Sequence, residues 1–288
     1  LETPQSMESF QGYNELKKYI FDIKEAFFKP SRFNLPFPKG LLLIGPPGTG
    51  KTLASKCIAS AFNLMLLKVD LSKLFSEYVG STERNTRTFI ASAEAMAPIV
   101  IRIDEIEKQM SGFGNKGQLD SGVSNRSFGQ ILQWMSEKST PVFMIATSNN
   151  VQNLPPELMR KGRLDEIFFI DLPNKEEICA ILKYHILSRF KECNIKLFDG
   201  IDNYLSGWTG AEIEQLVIQS LRIYEKDENY NLVSIFEAEI QKTTPLSILR
   251  KKDIDEIREW AVQNNVRLAS ENPKVEKEQK EYRRKFSI

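Results

Sequence analysis

The chain is 288 residues long, 41% hydrophobic and 27% charged, with a formal net charge of +1. That allows a normal core in one or two domains and gives no overall pull toward nucleic acid or an anionic membrane. Three scattered cysteines (Cys57, Cys179, Cys193) without a CxxC pair argue against a disulfide framework or a zinc site and for a reducing compartment. No apolar run approaches the roughly 18 residues that span a bilayer, no signal peptide is visible, and Leu1 in place of a start methionine points to processing or to a longer chain.

The stretch NELKKYIFDIKEAFF sets Leu16, Ile20, Ile23 and Phe27 at helical spacing, and KPSRFNLPFPKG then breaks the pattern with prolines and a closing glycine. Five short apolar runs follow, separated by helical or loop segments: LLLIG (41–45), LMLLKVD (64–70), IVIRID (99–104), VFMIAT (142–147) and IFFIDLP (167–173). Apolar runs alternating with helices predict a parallel sheet covered on both faces, with right-handed crossovers. After Pro173 the strand signal stops. NKEEICAILKYHILSRF, TGAEIEQLVIQSLRIYE, LVSIFEAEIQKT and KDIDEIREWAVQNN each carry a helical stripe. The expected division is a lead-in helix and linker (1–39), an α/β core with a five-stranded sheet (40–173), a small all-helical domain (174–268) and a charged tail without fixed structure (269–288).

GPPGTGKT, residues 45–52, has the phosphate-loop spacing between a strand and a helix. Of the loop residues Gly45, Pro46, Pro47, Gly48, Thr49 and Gly50, the glycines let backbone N–H groups wrap phosphates, the helix start adds partial positive charge, Lys51 reaches the β and γ phosphates, and the Thr52 hydroxyl suits Mg²⁺. At the end of IVIRID, Asp104 can hold Mg²⁺ through water, and Glu105 can polarise the water that attacks the γ phosphate. Arg102 is out of place in that strand, because a buried guanidinium needs a partner and the sequence names none. Asn149, at the end of VFMIATSNN, reads either as a turn former or as a water-orienting group beside Asp104. Arg160, Lys161 and Arg163 surround Gly162, which suits a helix end after Pro155 and Pro156; taken alone, the cations complement a helix dipole. His185, the only histidine, reads by itself as structural.

The order GPPGTGKT, IDEIEK, ATSNN, LPPELMRKGRLDEIFFIDLP, SGWTGAEIEQL resembles the layout of AAA-type ATPases over roughly residues 10 to 265. PFPKGLLLIG, SNRSFGQILQWMSEK and TTPLS are similar to a narrower set, the uncharacterised AAA ATPases of plastid and cyanobacterial genomes known as hypothetical chloroplast open reading frame forty-six. The resemblance implies a Mg-dependent ATPase with a P-loop core and helical lid, assembled as a hexameric ring and acting on protein clients in the plastid stroma, or in the cytoplasm if cyanobacterial. It implies that Arg160 and Arg163 serve a neighbour's ATP, that His185 lies near the adenosine, that Gly210 and Ala211 let the lid helix approach the nucleotide, and that the backbone near Gly12 meets the adenine. It also implies that Tyr78 and Val79, followed by Gly80, grip a client in a central channel, with a second channel loop from 110–125. The alternative is an assembly switch that binds ATP and regulates a plastid partner without threading. No nucleic-acid motif stands out, and a lone histidine excludes an HExxH protease within this chain.

Overall fold

The computed structural model describes residues 1–29, 33, 35–74, 81–109, 121–227, 231–271 and 273–286. The chain groups into two compact units. One comprises residues 1–7, 15–44 and 51–169; the other comprises 8–14, 45–50 and 170–288.

The first unit is built, in chain order, from α1 (Asn14–Phe28), β1 (Gly40–Ile44), α2 (Lys51–Phe62), β2 (Leu66–Val69), α3 (Ser81–Ala95), β3 (Ile99–Ile103), α4 (Ile106–Gln109), α5 (Ser121–Glu137), β4 (Val142–Ser148) and β5 (Glu166–Phe169). β1, β3 and β4 are buried along their whole length, as expected for parallel strands covered on both faces. β2 pairs with β3, β3 with β4, β4 with β1 and β1 with β5, all in parallel. Within this unit the sheet order is β2-β3-β4-β1-β5; a further strand, β6 (Arg267–Leu268), belongs to the second unit. The sequence predicts five strands; the sixth has two residues, too few for any apolar run to register.

Phe27, Phe62 and Phe143 meet at centroid distances of 5.3 Å (27 to 62), 5.8 Å (27 to 143) and 5.2 Å (62 to 143), joining α1, α2 and β4. Burying each such ring contributes about 1.5–3 kcal/mol. The helix read from the sequence as a lead-in is therefore part of this core, with Leu16 and Ile20 buried beside Phe27. Register then brings two polar strand ends together. Ile103 of β3 pairs with Ala146 of β4, and Ile44 of β1 with Ser148, so Asp104 and Asn149 leave the sheet at the same edge, the carboxyl edge where open α/β sheets bind ligands.

The second unit holds α6 (Lys175–Leu187), α7 (Gly210–Tyr224), α8 (Leu232–Lys242), α9 (Leu246–Leu249), α10 (Lys251–Gln263), β6 and α11 (Pro273–Phe286). Reciprocal capping boxes start α6, between Asn174 and Glu177, and α7, between Thr209 and Glu212. Ile181, Ile186, Ile213, Val217 and Phe236 are among the buried residues of its apolar core. Arg258 of α10 forks onto Asp171 through Nε and Nη2, at 2.9 to 3.1 Å.

Two boundaries differ from the sequence reading. In space the second unit begins at Ile170 rather than after Pro173, and it takes in residues 8–14 and 45–50, because these short segments bond to α6 and α7. The charged stretch expected to lack structure forms α11 over 273–286. Val275 is buried, and the Gln279 amide donates to the carbonyls of Ala261 and Val266. A helix that docks through side chains such as Val275 and Gln279 looks like a solvated tail in any count of charges.

Candidate functional site

In the first unit, Asp104 and Glu105 follow β3 directly. Glu105 has φ 47°, a left-handed conformation that costs a non-glycine residue about 1–3 kcal/mol and persists only where neighbours hold it. Thr147 of β4 does so: its hydroxyl accepts the Glu105 N–H at 3.1 Å and donates to Asp104 Oδ1 at 3.3 Å. Asn149 Nδ2 donates to Glu105 Oε1 at 2.8 Å, and its backbone N–H donates to Glu107 Oε1 at 3.0 Å. The other carboxylate oxygen of Glu105 meets Lys108 Nζ at 2.9 Å, an exposed and hence weak pair. Glu107 is buried, and its Oε2 has no hydrogen-bond partner among the described residues. Lys51, the first residue of α2, is 7% exposed. Burial lowers its ammonium to about 7, against the upward pull of Glu107 and Glu105.

Arg102, unassigned by sequence, is 2% exposed and lies between two carboxylates. Its Nη1 and Nη2 sit 2.7 Å and 2.9 Å from the two oxygens of Glu2, and Nη2 also sits 2.9 Å from Asp104 Oδ2.

In the second unit, residues 45–50 form a tight loop. A Cβ at Gly45 would stand 2.0 Å from the Ile170 carbonyl oxygen. At Gly48, with φ +80°, it would stand 2.9 Å from Thr209 Oγ1. The Gly48 carbonyl accepts the Ala211 N–H at 3.1 Å, and a Cβ on Gly210 would face that same carbonyl at 3.7 Å. Gly210 and Ala211 thus bring the start of α7 onto the loop backbone itself. Tyr13, at φ 54°, donates its hydroxyl to the Thr49 carbonyl at 2.8 Å, donates its N–H to Glu177 Oε1 at 2.8 Å and stacks on Phe10 at 4.7 Å. Burial, reinforced by Glu177 and Asp171, pushes its phenol far above the ordinary range, so it stays a donor. The Glu177 carboxylate also accepts the Asn174 N–H at 3.0 Å and the Ser270 hydroxyl at 2.5 Å.

With this geometry in view, the sequence profile of the "ATPase family associated with various cellular activities (AAA)" matches residues 41–172. Residues 41–172 are an AAA domain. Across 268 residues the chain is 39% identical to "Uncharacterized AAA domain-containing protein ycf46" of Guillardia theta, covering 90% of this chain and 51% of that protein. It is 40% identical over 262 residues to the protein of the same name in Pyropia yezoensis, covering 90% and 53%. The chain therefore spans about half the length of these relatives. The fold is shared with the FIGL-1 AAA domain crystallised with ADP, at a TM-score of 0.69, 23% identity and 91% coverage of both chains.

Pro156–Met159 is a single 3-10 turn, Arg160 caps it, and Gly162 is left-handed at φ +93°. The Arg160 backbone N–H donates to the Glu157 carbonyl at 3.3 Å, while its exposed side chain makes no hydrogen bond or ion pair among the described residues. Arg163, expected to face a neighbour, turns back and donates to the Glu157 carbonyl of its own chain. His185 Nδ1 lies 3.1 Å from Arg189 Nη1 and 3.8 Å from Glu214. Arginine can only donate, so Nδ1 is the acceptor. Burial and Arg189 lower the His185 pKa while Glu214 raises it, the net direction being down. Gly12 has φ +77°, and a Cβ there would clash with Glu177 at 2.6 Å. Tyr78, Val79 and Gly80, and residues 110–120 of the second loop, lie outside the described residues.

Sequence reasoning missed Thr147, Glu107, Tyr13 and Glu177. Glu107 had a signal, as a second acid two positions after Glu105. Tyr13 had none, since nothing in FQGYN says that its hydroxyl reaches residue 49.

The donor chemistry fits a magnesium nucleotide. A Cβ is excluded at Gly45 and crowded at Gly48, the buried Lys51 ammonium suits an anion, and Asp104 and Thr52 offer the hard oxygens that magnesium takes. No helix among the described residues is long and apolar enough to cross a membrane.

Proposed function

We propose that this chain binds ATP on residues 45–52 and hydrolyses it, as a subunit of a homo-hexameric ring that remodels protein clients in the plastid. The reading is carried by the hydrogen bond from Asn149 to Glu105, which joins two strand ends through a polar group and a carboxylate whose backbone is held in strain. Such strain is characteristic of working sites. The ADP bound to the FIGL-1 AAA domain supports a nucleotide as the ligand.

In this reading the loop N–H groups and Lys51 hold the phosphates, and a Lys51 ammonium lowered by burial regains its proton beside them. Thr52 and Asp104 would hold magnesium, which supplies electrostatic relief to the phosphate oxygens. Glu105, aimed by Asn149, takes the proton of the attacking water, and Glu107 fixes Asn149 through its backbone. Arg160, exposed and unpaired among the described residues, reaches the ATP of an adjacent subunit; a guanidinium supplied in trans is worth about 10³–10⁵ in rate. Arg163 keeps the turn in shape. Tyr78 and Val79 grip the client, His185 and the Gly12 segment border the adenosine, and the algal plastid relatives support the location.

The test is ATPase rate per chain against protein concentration, with Arg160→Ala doped into the unaltered protein. We expect a steep rise with concentration and a loss larger than the fraction of variant added. A rate per chain that stays constant down to demonstrable monomer would sink the shared site. Tyr78→Ala then separates threading from an assembly switch: loss of client remodelling with ATPase intact supports the first, and no change supports the second.

A further inference from the structure

A nearly buried arginine in the middle of β3 is costly unless its charge is matched, and Arg102 shares its charge unequally. Glu2 faces the guanidinium with both oxygens, Oε1 accepting from Nη2 at 2.9 Å and Oε2 standing 2.7 Å from Nη1 as an ion pair outside hydrogen-bond geometry, while Asp104 Oδ2 stands 2.9 Å from the same Nη2. Glu2 is itself held in place, its N–H donating to the Leu66 carbonyl at 2.9 Å as an antiparallel bridge onto β2. Asp104 is further fixed by Thr147 on Oδ1 at 3.3 Å, by Gln109 on its backbone carbonyl at 2.6 Å, and by Lys68 at 3.7 Å from Oδ2. The group of Glu2, Asp104, Lys68 and Arg102 has two charges of each sign.

Guanidinium prefers a two-pronged grip on one carboxylate. Without Glu2, Asp104 is the carboxylate left beside Arg102, and a full fork onto it would occupy the oxygens that a hydrated cation needs. We propose that Glu2 and Arg102 are positioning residues for the nucleotide's magnesium: by engaging the fork, Glu2 keeps Asp104 available as a metal carboxylate. This rests on the reading that Asp104 meets magnesium, and it adds a requirement for the segment ahead of α1 that no phosphate-loop motif contains.

The test is a Mg²⁺ titration of the binding of a fluorescent, non-hydrolysable ATP analogue, together with binding in EDTA and thermal unfolding. Glu2→Gln should raise the Mg²⁺ midpoint at least about fivefold while leaving affinity in EDTA within about twofold. Glu2→Gln/Arg102→Met, which lacks the guanidinium, should return the midpoint to that of the unaltered protein or below. Glu2→Asp, which keeps the charge, should fall between the unaltered protein and Glu2→Gln. A folded Glu2→Gln with an unmoved midpoint would overturn the inference, as would equal weakening with and without Mg²⁺, the mark of a merely structural role. A double variant as impaired as the single would also overturn it. If the unaltered protein binds the analogue with no Mg²⁺ dependence, the metal role of Asp104 itself fails, an outcome distinct from the others.

Discussion

Replacing Tyr13 by Phe removes one oxygen and keeps the ring. The stacking on Phe10, 4.7 Å between centroids, survives, and with it about 0.5–1.5 kcal/mol. What is lost is the 2.8 Å bond to the Thr49 carbonyl. Thr49 is 1% exposed, so water cannot easily replace the donor, and a buried acceptor left without one costs about 1–3 kcal/mol. Tyr13→Ala should cost about 3–5 kcal/mol more, through loss of the ring. Urea unfolding should show the Phe variant with a lower midpoint and an unchanged slope. Because the bond fixes the loop carbonyl chain, a fluorescent ADP analogue should also bind about tenfold more weakly, the equivalent of ~1.4 kcal/mol. A Phe variant that matches the unaltered protein in both midpoint and affinity would refute the reasoning: the hydroxyl would then hold nothing.

Lys138 is 6% exposed, and burial lowers its ammonium to about 8 despite the pull of Asp165. From there up to the ordinary lysine range near ~10.4 the unfolded chain keeps a proton that the folded chain has released, so stability should rise with pH across that window. The rise has a ceiling of about 3 kcal/mol. Lys138→Met should lack it, and parallel pH profiles of the two proteins would count against the assignment. Arg258→Lys keeps the charge opposite Asp171 but cannot fork; for this partly exposed pair we expect a loss of about 1 kcal/mol in urea unfolding, and an unchanged midpoint would show the fork to be idle.

The strands were readable because they are apolar throughout: LLLI, IVIRI and VFMIAT predict β1, β3 and β4 to within a residue or so. The helices of the second unit were readable because their stripes and caps agree, as at Asn174 and Thr209. GPPGTGKT, Asp104, Glu105 and Asn149 stand at strand ends, where short contiguous motifs have meaning. What stayed hidden depends on contacts between distant residues. Glu2 meets Arg102 and Tyr13 meets Thr49 through single polar atoms that leave no periodicity, and α11 docks through Gln279. Arg102 was visible as an anomaly, since a charge in a buried strand demands a counterion, but the sequence could not say where the counterion lay.

The GPPGTGKT loop is spelled by eight consecutive letters, yet its contour is moulded by residues encoded far downstream. A fragment ending at residue 172, where the family match stops, would retain the spelling and forfeit the mould: Thr209 against Gly48, Ala211 on its carbonyl, and Glu177 behind Tyr13. Fragments made for biochemistry therefore need to run through α7 at least, and inactivity in a shorter one would speak about the missing mould rather than about the letters.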